Sequence, residues 1–397
     1  MFCKAFFIFR NYLAAIMSDK ERISICAMNR IFGYEPEIAH RIIDDLGSAS
    51  ALFELNDGDR QTLFGPFSRY SGRIGTQEME AATREIEYMS GLGAHFMTIA
   101  DPGYPRLLRE CGDAPVGMYV KSCSSDMETF NQRPCIAIVG TRGLTSYGRE
   151  WCRQIVAALS MASTRPCIVS GLAIGTDICA HEAALEAGLT SIAILPSGLD
   201  QIYPSRHRGF AERLAATPGC AIASDYPPET GAAKVNFVRR NRIIAGICSA
   251  TILIESRSDG GGMITARLAS SYGREVFCLP GRIDEPCSQG CNKLIQEKIA
   301  EPVTDMGILV EALGLGTSTR RRAADLKTEL ETRYGKGSPA VRLGMEIRRH
   351  RDLDIPALAA RLGWGFPETS RMCSMLEADG IICMDLLQRC SINVKIV

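Results

Sequence analysis

Glycines, cations and one aromatic recur at what read as strand-to-helix junctions, a pattern suited to holding phosphate. Gly140-Thr141-Arg142-Gly143 runs into Thr145-Ser146-Tyr147-Gly148 and then a helical pattern. Glycine lets backbone approach a ligand, Thr145 or Ser146 can cap the helix, and the free N–H groups favour an anion. Arg142 adds a planar fork that fits a phosphate. The spacing G-T-R-G-L-T is not the G-x-G-x-x-G of a dinucleotide fingerprint.

Two further loops repeat the design. Ser170-Gly171-Leu172-Ala173-Ile174-Gly175-Thr176-Asp177 leaves a second apolar run, and Ser258-Asp259-Gly260-Gly261-Gly262-Met263 leaves another. Backbone amides of neighbouring loops can form one concave anion site. Asp177 and His181 lie four residues apart on a helical pattern, but no nucleophile or second carboxylate joins them. Asp177 therefore reads as a helix cap and His181 as a packing residue.

The stretch Lys234-Val-Asn-Phe237-Val-Arg239-Arg240-Asn241-Arg242 places four cations within nine residues, with no acid between them. Cations supply phosphate affinity, and Phe237 offers a platform for an unstacked base. That combination suits a single strand better than a duplex, whose bases are already stacked. Repeated glycine turns along one sheet edge suit a polymeric anion better than a small metabolite.

These loops need strands to hold them in line. Apolar runs at 136–139, 167–169, 192–195, 220–223, 252–254 and 276–279 alternate with helical stretches near 148–161, 176–188, 206–216, 239–247 and 263–273. This alternation predicts an α/β fold with an open parallel sheet covered by helices on both faces, whose ligands bind beyond the carboxyl ends of the strands. Residues 1–16 are apolar but interrupted by Lys4 and Arg10, and read as an unstructured or artefactual extension. Residues 17–95 show helical spacing with short glycine turns, like a SAM or helix-hairpin-helix module, and suit either a packing role or a DNA contact. The sheet domain spans 96–313, a polar linker with helical character spans 314–340, and 341–397 predicts three helices with a short β-wing, a winged-helix-like module. Its Arg348, Arg349 and Arg351 leave a duplex contact and a protein contact both open.

Composition sets the outer limits. The 397 residues carry 45 basic and 45 acidic side chains, so no global field draws in nucleic acid and charge must act locally. With 46% hydrophobic and 23% charged residues the chain is not a disordered one. The 16 cysteines are scattered, and Cys287 with Cys291 lacks a second pair to complete a zinc site. They read as reduced thiols in a cytosolic protein, with no metal and no cofactor.

The motifs VGTRGLTSYG (139–148), SGLAIGTDICAH (170–181), SGLDQIYP (197–204), NFVRRNRIIAG (236–246), ITARLASSYGREVFCLPG (264–281) and SQGCNKLI (288–295) occur in this order. In them the sequence resembles the DNA-processing protein A (DprA/Smf) family. The resemblance implies a Rossmann-like sheet and a cytoplasmic, non-enzymatic homodimer. It also implies sequence-independent binding of single-stranded DNA and loading of the RecA recombinase onto it in natural transformation, as a recombination mediator. It further implies that Arg142, Lys234, Arg239, Arg240 and Arg242 bind phosphate, that Phe237 contacts a base, and that Ser170, Gly171 and Asn241 shape the pocket. Gly140, Thr141, Gly261 and Gly262 would supply the backbone of that DNA-binding site. The loop before ITA holds Gly260-Gly261-Gly262 where the family has Ser-Gly-Ser.

The alternative is a nucleotide-hydrolysing enzyme of the related phosphoribohydrolase group. Those enzymes carry P-G-G-x-G-T-x-x-E with a catalytic glutamate, whereas GGGMITARL has none at that spacing. A nicotinamide-dependent oxidoreductase lacks its fingerprint here.

Overall fold

Runs such as Cys135–Val139 and Ala250–Leu253 are buried at every position, as strands covered on both faces require. The computed structural model describes residues 18–65, 67–316, 319–350, 353–385 and 388–392. The extension read at 1–16, Arg351 and the last five residues of INVKIV lie outside them. The chain divides after Gly316 into two compact units.

Among the described residues the first unit begins with five α-helices, α1 (Asp19–Phe32), α2 (Pro36–Leu46), α3 (Ala49–Glu54), α4 (Asp57–Phe64) and α5 (Thr76–Gly91). Next come β1 (His95–Thr98), the single turn α6 (Arg106–Arg109), β2 (Gly117–Lys121), β3 (Cys135–Val139), α7 (Ser146–Ser160), β4 (Cys167–Ser170), α8 (Thr176–Glu186) and β5 (Thr190–Ile194). They are followed by α9 (Arg208–Ala215), β6 (Ala221–Ser224), α10 (Lys234–Ile247), β7 (Ala250–Leu253), α11 (Gly261–Ser271), β8 (Glu275–Cys278), α12 (Gln289–Gln296), β9 (Glu301–Pro302) and α13 (Met306–Ala312).

Among the described residues nine strands form one sheet in the order β1-β2-β6-β5-β4-β3-β7-β8-β9. From β6 to β9 every pairing is parallel, and β1 and β2 join antiparallel at one edge. Alternate residues of β3 serve opposite cores. Cys135, Ala137 and Val139 pack with Ile243 and Ile244 of α10 and Ala266 of α11, while Ile136 and Ile138 pack with Ile155 and Val156 of α7 and Ala180 of α8. The helical N-terminal region shares a core with the antiparallel edge, where Met28 and Phe32 of α1 meet Phe96 of β1 and Tyr119 of β2.

The second unit holds α14 (Thr319–Tyr334), α15 (Pro339–Arg349), β10 (Leu353–Asp354), α16 (Ile355–Leu362), α17 (Phe366–Ala378), β11 (Ile382–Met384) and β12 (Arg389–Ile392). Among the described residues its three strands pair antiparallel in the order β10-β12-β11, a small antiparallel sheet beside the helices of this unit. Leu326 and Leu330 of α14 are buried with Leu343, Leu358 and Leu376 in this unit's own core. Arg361 and Arg349 both face Glu346, at 2.7 and 4.0 Å. No helix among the described residues is long and apolar enough to cross a membrane.

Candidate nucleic-acid interface

The strand order reverses at β3, which has β4 on one side and β7 on the other, in register from Ile136 opposite both Ile168 and Ala250. In open sheets such a switch point leaves a crevice beyond the strand ends. Here the crevice is a concavity of about 610 Å³. Gly140, Thr141 and Arg142 enter it after β3, Ala173 and Asp177 after β4, and Ser256, Arg257 and Asp259 to Gly262 after β7, while Lys234, Phe237, Val238, Arg240 and Asn241 of α10 close it.

Each loop is held by a bond that its sequence supplies. Thr145 caps α7, its Oγ1 accepting from the Gly148 N–H at 3.1 Å. Glu255, 1% exposed at the end of β7, accepts from the Thr145 N–H at 3.0 Å and its hydroxyl at 2.6 Å, tying the first loop to the strand beside it. Gly140 is a glycine because a Cβ there would lie 2.5 Å from Thr176 Oγ1, and Gly262 because a Cβ would lie 2.6 Å from Leu253. Above Gly261 a Cβ would meet nothing within 4 Å, and no side chain caps α11. An uncapped helix start facing open space favours an anion.

The helix expected over 239–247 begins at Lys234, five residues earlier, and that start sorts the cationic run. Residues 234, 237, 238 and 241 fall on one face of a helix. Lys234 and Phe237 therefore share the concavity with Arg142. The Arg142 guanidinium lies 4.6 Å from the centre of the Phe237 ring, and the Tyr203 ring meets Phe237 edge-on at 5.5 Å. Arg142 and Lys234 are exposed, and neither has an ion-pair partner among the described residues. Asn241 directs its amide to the Gly261 carbonyl at 3.5 Å, joining α10 to α11.

The other three arginines of the run are bonded to the protein: Arg240 lines the concavity but is buried, and Arg239 and Arg242 do not line it, which departs from the expectation that all four cations of the run meet phosphate there. Arg240, 3% exposed, donates to the Gly171 carbonyl at 2.8 Å and also to that of Ile194, pinning α10 to the ends of β4 and β5. Burial lowers its pKa to about 10. Arg242 donates to Asp225 at 2.5 Å and to the Asp113 carbonyl, facing away from the concavity. Arg239 donates to the Tyr34 carbonyl and lies over the Tyr34 ring at 4.2 Å. Ser170 and Gly171 shape the site from behind: the fully buried Ser170 hydroxyl donates to the Ile138 carbonyl at 2.7 Å, and a Cβ on Gly171 would lie 2.4 Å from the Arg240 guanidinium. Neither lines the concavity.

Asp177 is not the cap expected of it. Gly175 occupies that position, and the Asp177 carboxylate, two residues on in the first turn, accepts from the Ala173 N–H at 3.3 Å; burial raises its pKa against the opposing charge of Arg240. His181 is a packing residue with a defined tautomer. Ser191 Oγ donates to the Ile168 carbonyl at 2.8 Å, so it accepts from His181 Nδ1–H at 2.7 Å, and burial lowers the ring's pKa to about 3. Among the described residues no group of three or more His, Cys, Asp or Glu could hold a metal ion.

The lining residues that escaped the sequence reading include Tyr203 and Arg257. Tyr203 stands in the SGLDQIYP motif but gave no sign of its partner, and Arg257 follows β7 without a neighbouring cation to mark it.

Comparison with known proteins places the concavity in a family. The family model described as DNA recombination-mediator protein A matches residues 95–314. Protein Smf of a Synechocystis species is 39% identical over 55% of this chain and 54% of its own length, so this chain spans about half of that relative. The DNA processing protein DprA of Streptococcus pneumoniae is 36% identical over 54% of this chain and 73% of its own. The X-ray structure of DprA from Streptococcus pneumoniae superposes with a TM-score of 0.62 at 28% identity, covering 75% of this chain and 98% of that one. The matched stretch runs from β1 past α13 and so contains every loop that lines the concavity, which makes this chain a member of the DNA recombination-mediator protein A family.

Proposed function

We propose that the concavity binds single-stranded DNA without sequence preference, and that the protein is a non-catalytic mediator delivering that strand to the RecA recombinase in natural transformation. One observation carries the strand-binding step: an arginine lies over an aromatic ring, a lysine lines the same concavity, and neither cation has an ion-pair partner among the described residues. A base can continue the stack beyond the guanidinium or ring, and every base has a face to offer, so the contact is indifferent to sequence. Arg142, Lys234 and the start of α11 meet successive phosphates, with Gly140, Thr141, Gly261 and Gly262 supplying backbone. Delivery to RecA, the homodimer and the cytoplasmic setting are supported by the family resemblance.

The two candidate acid–base groups near the sheet are already occupied, Asp177 by the Ala173 N–H and His181 by Ser191, which favours binding over hydrolysis. A labelled single strand titrated against its duplex tests the reading. Tighter binding of the single strand is expected, with no ribose 5-phosphate released from nucleoside monophosphates. Equal affinity for the duplex, or release of that product, overturns it.

A further inference from the structure

The helix that closes the concavity also borders a second one. Val238 of α10 lines the first and is 43% exposed, and the next residue, Arg239, lines a neighbouring hollow of about 580 Å³ with Tyr34, Arg69, Tyr70 and Arg73. Tyr34 sits in the turn between α1 and α2, half exposed, its ring under the Arg239 guanidinium at 4.2 Å and 6.3 Å from the Tyr226 ring. The arrangement repeats that of Arg142 on Phe237. Each is an arginine on an aromatic ring, joining α10 to a different part of the fold.

Charge supports the repetition. Three arginines and one carboxylate, Glu35, line the second hollow. Glu35 accepts from Arg69 and the Tyr70 hydroxyl, and Arg73 reaches Glu78 at 3.3 Å, so the local excess is positive. Arg239 has no carboxylate partner among the described residues.

We propose that Tyr34, held by Arg239, is a second base platform, so that a single strand leaving the Phe237 site crosses Val238 and continues onto the N-terminal helical region. This rests on the strand-binding reading above and extends the track beyond the sheet. A short strand fills the first concavity alone, while a longer one reaches both.

The test compares oligothymidylates of about 5 and about 20 nucleotides on the full chain, with wild type, Tyr34→Ala and Tyr34→Phe. Tyr34→Ala is expected to weaken the long strand about fivefold or more, from one lost stacking contact, and leave the short one unchanged. Tyr34→Phe restores the long strand. A long strand made abasic throughout binds wild type and Tyr34→Ala alike, which a merely structural role for the ring does not predict. An unchanged long-strand affinity, or equal loss on both lengths, overturns the second platform. Arg142→Ala on the short strand reports separately on the first site: if it changes nothing, the underlying reading fails, whatever Tyr34 does.

Discussion

The Arg142 guanidinium rests 4.6 Å from the centre of the Phe237 ring, joining the loop after β3 to the helix that precedes β7. Those two elements flank the point where the strand order reverses, so the contact spans the crevice rather than lining one side of it. A cation and a ring held face to face give a strand both a phosphate partner and a stacking surface.

Replacing Phe237 by Ala removes the stacking surface and leaves Lys234 in place. Affinity for a single strand is expected to fall by about 1 to 3 kcal/mol, while the salt dependence keeps its slope because no phosphate contact is lost. Phe237→Tyr retains most of the affinity. Fluorescence anisotropy over a salt series reads both quantities.

Arg242 is expected to matter for folding rather than for the strand. Arg242→Ala leaves Asp225 buried without its cation, which costs about 3 to 5 kcal/mol. Thermal unfolding should show a lower Tm, relieved in Arg242→Ala with Asp225→Ala, while the folded protein keeps its salt slope for single strands.

His181 makes stability depend on acid. Its ring stays neutral in the folded protein down to about pH 3, whereas an unfolded chain takes up a proton near its ordinary value of 6.5. Between those limits the unfolded state binds more protons, so stability falls as pH drops, on the order of 1 kcal/mol per unit. Denaturant titrations at pH 7, 6 and 5 should show the loss, and His181→Gln should flatten it.

Much of the fold could be read from the chain because burial on both faces forces apolar runs, and the six runs noted all lie in or beside parallel strands of the sheet. The edge strands β1 and β2 were not read, since HFMT and GMYVK carry polar residues and pair antiparallel by contacts with no local signature. The stretch read as a linker contains α14, whose Leu326 and Leu330 are buried only by packing with Leu343, Leu358 and Leu376 of the helices that follow. At the site, the glycine loops and Arg142 were legible because their chemistry is local. The division of labour along α10 was not. Lys234, Arg239, Arg240 and Arg242 carry the same charge in sequence, and the helix start at Lys234 and the buried carbonyls of Gly171 and Ile194 help decide which face water. Tyr34 and Arg239 meet across 205 residues, beyond any spacing rule.

The central claim is that Arg142 and Lys234 grip one polyphosphate chain from the same concavity. The most direct measurement is the affinity of wild type, Arg142→Ala, Lys234→Ala and the double variant for a labelled single strand across a salt series. Each single change is expected to weaken binding and to lower the slope of log affinity against log salt by about 0.7, with the double variant losing about twice that. Affinity and slope unchanged in both single variants at moderate salt would contradict it.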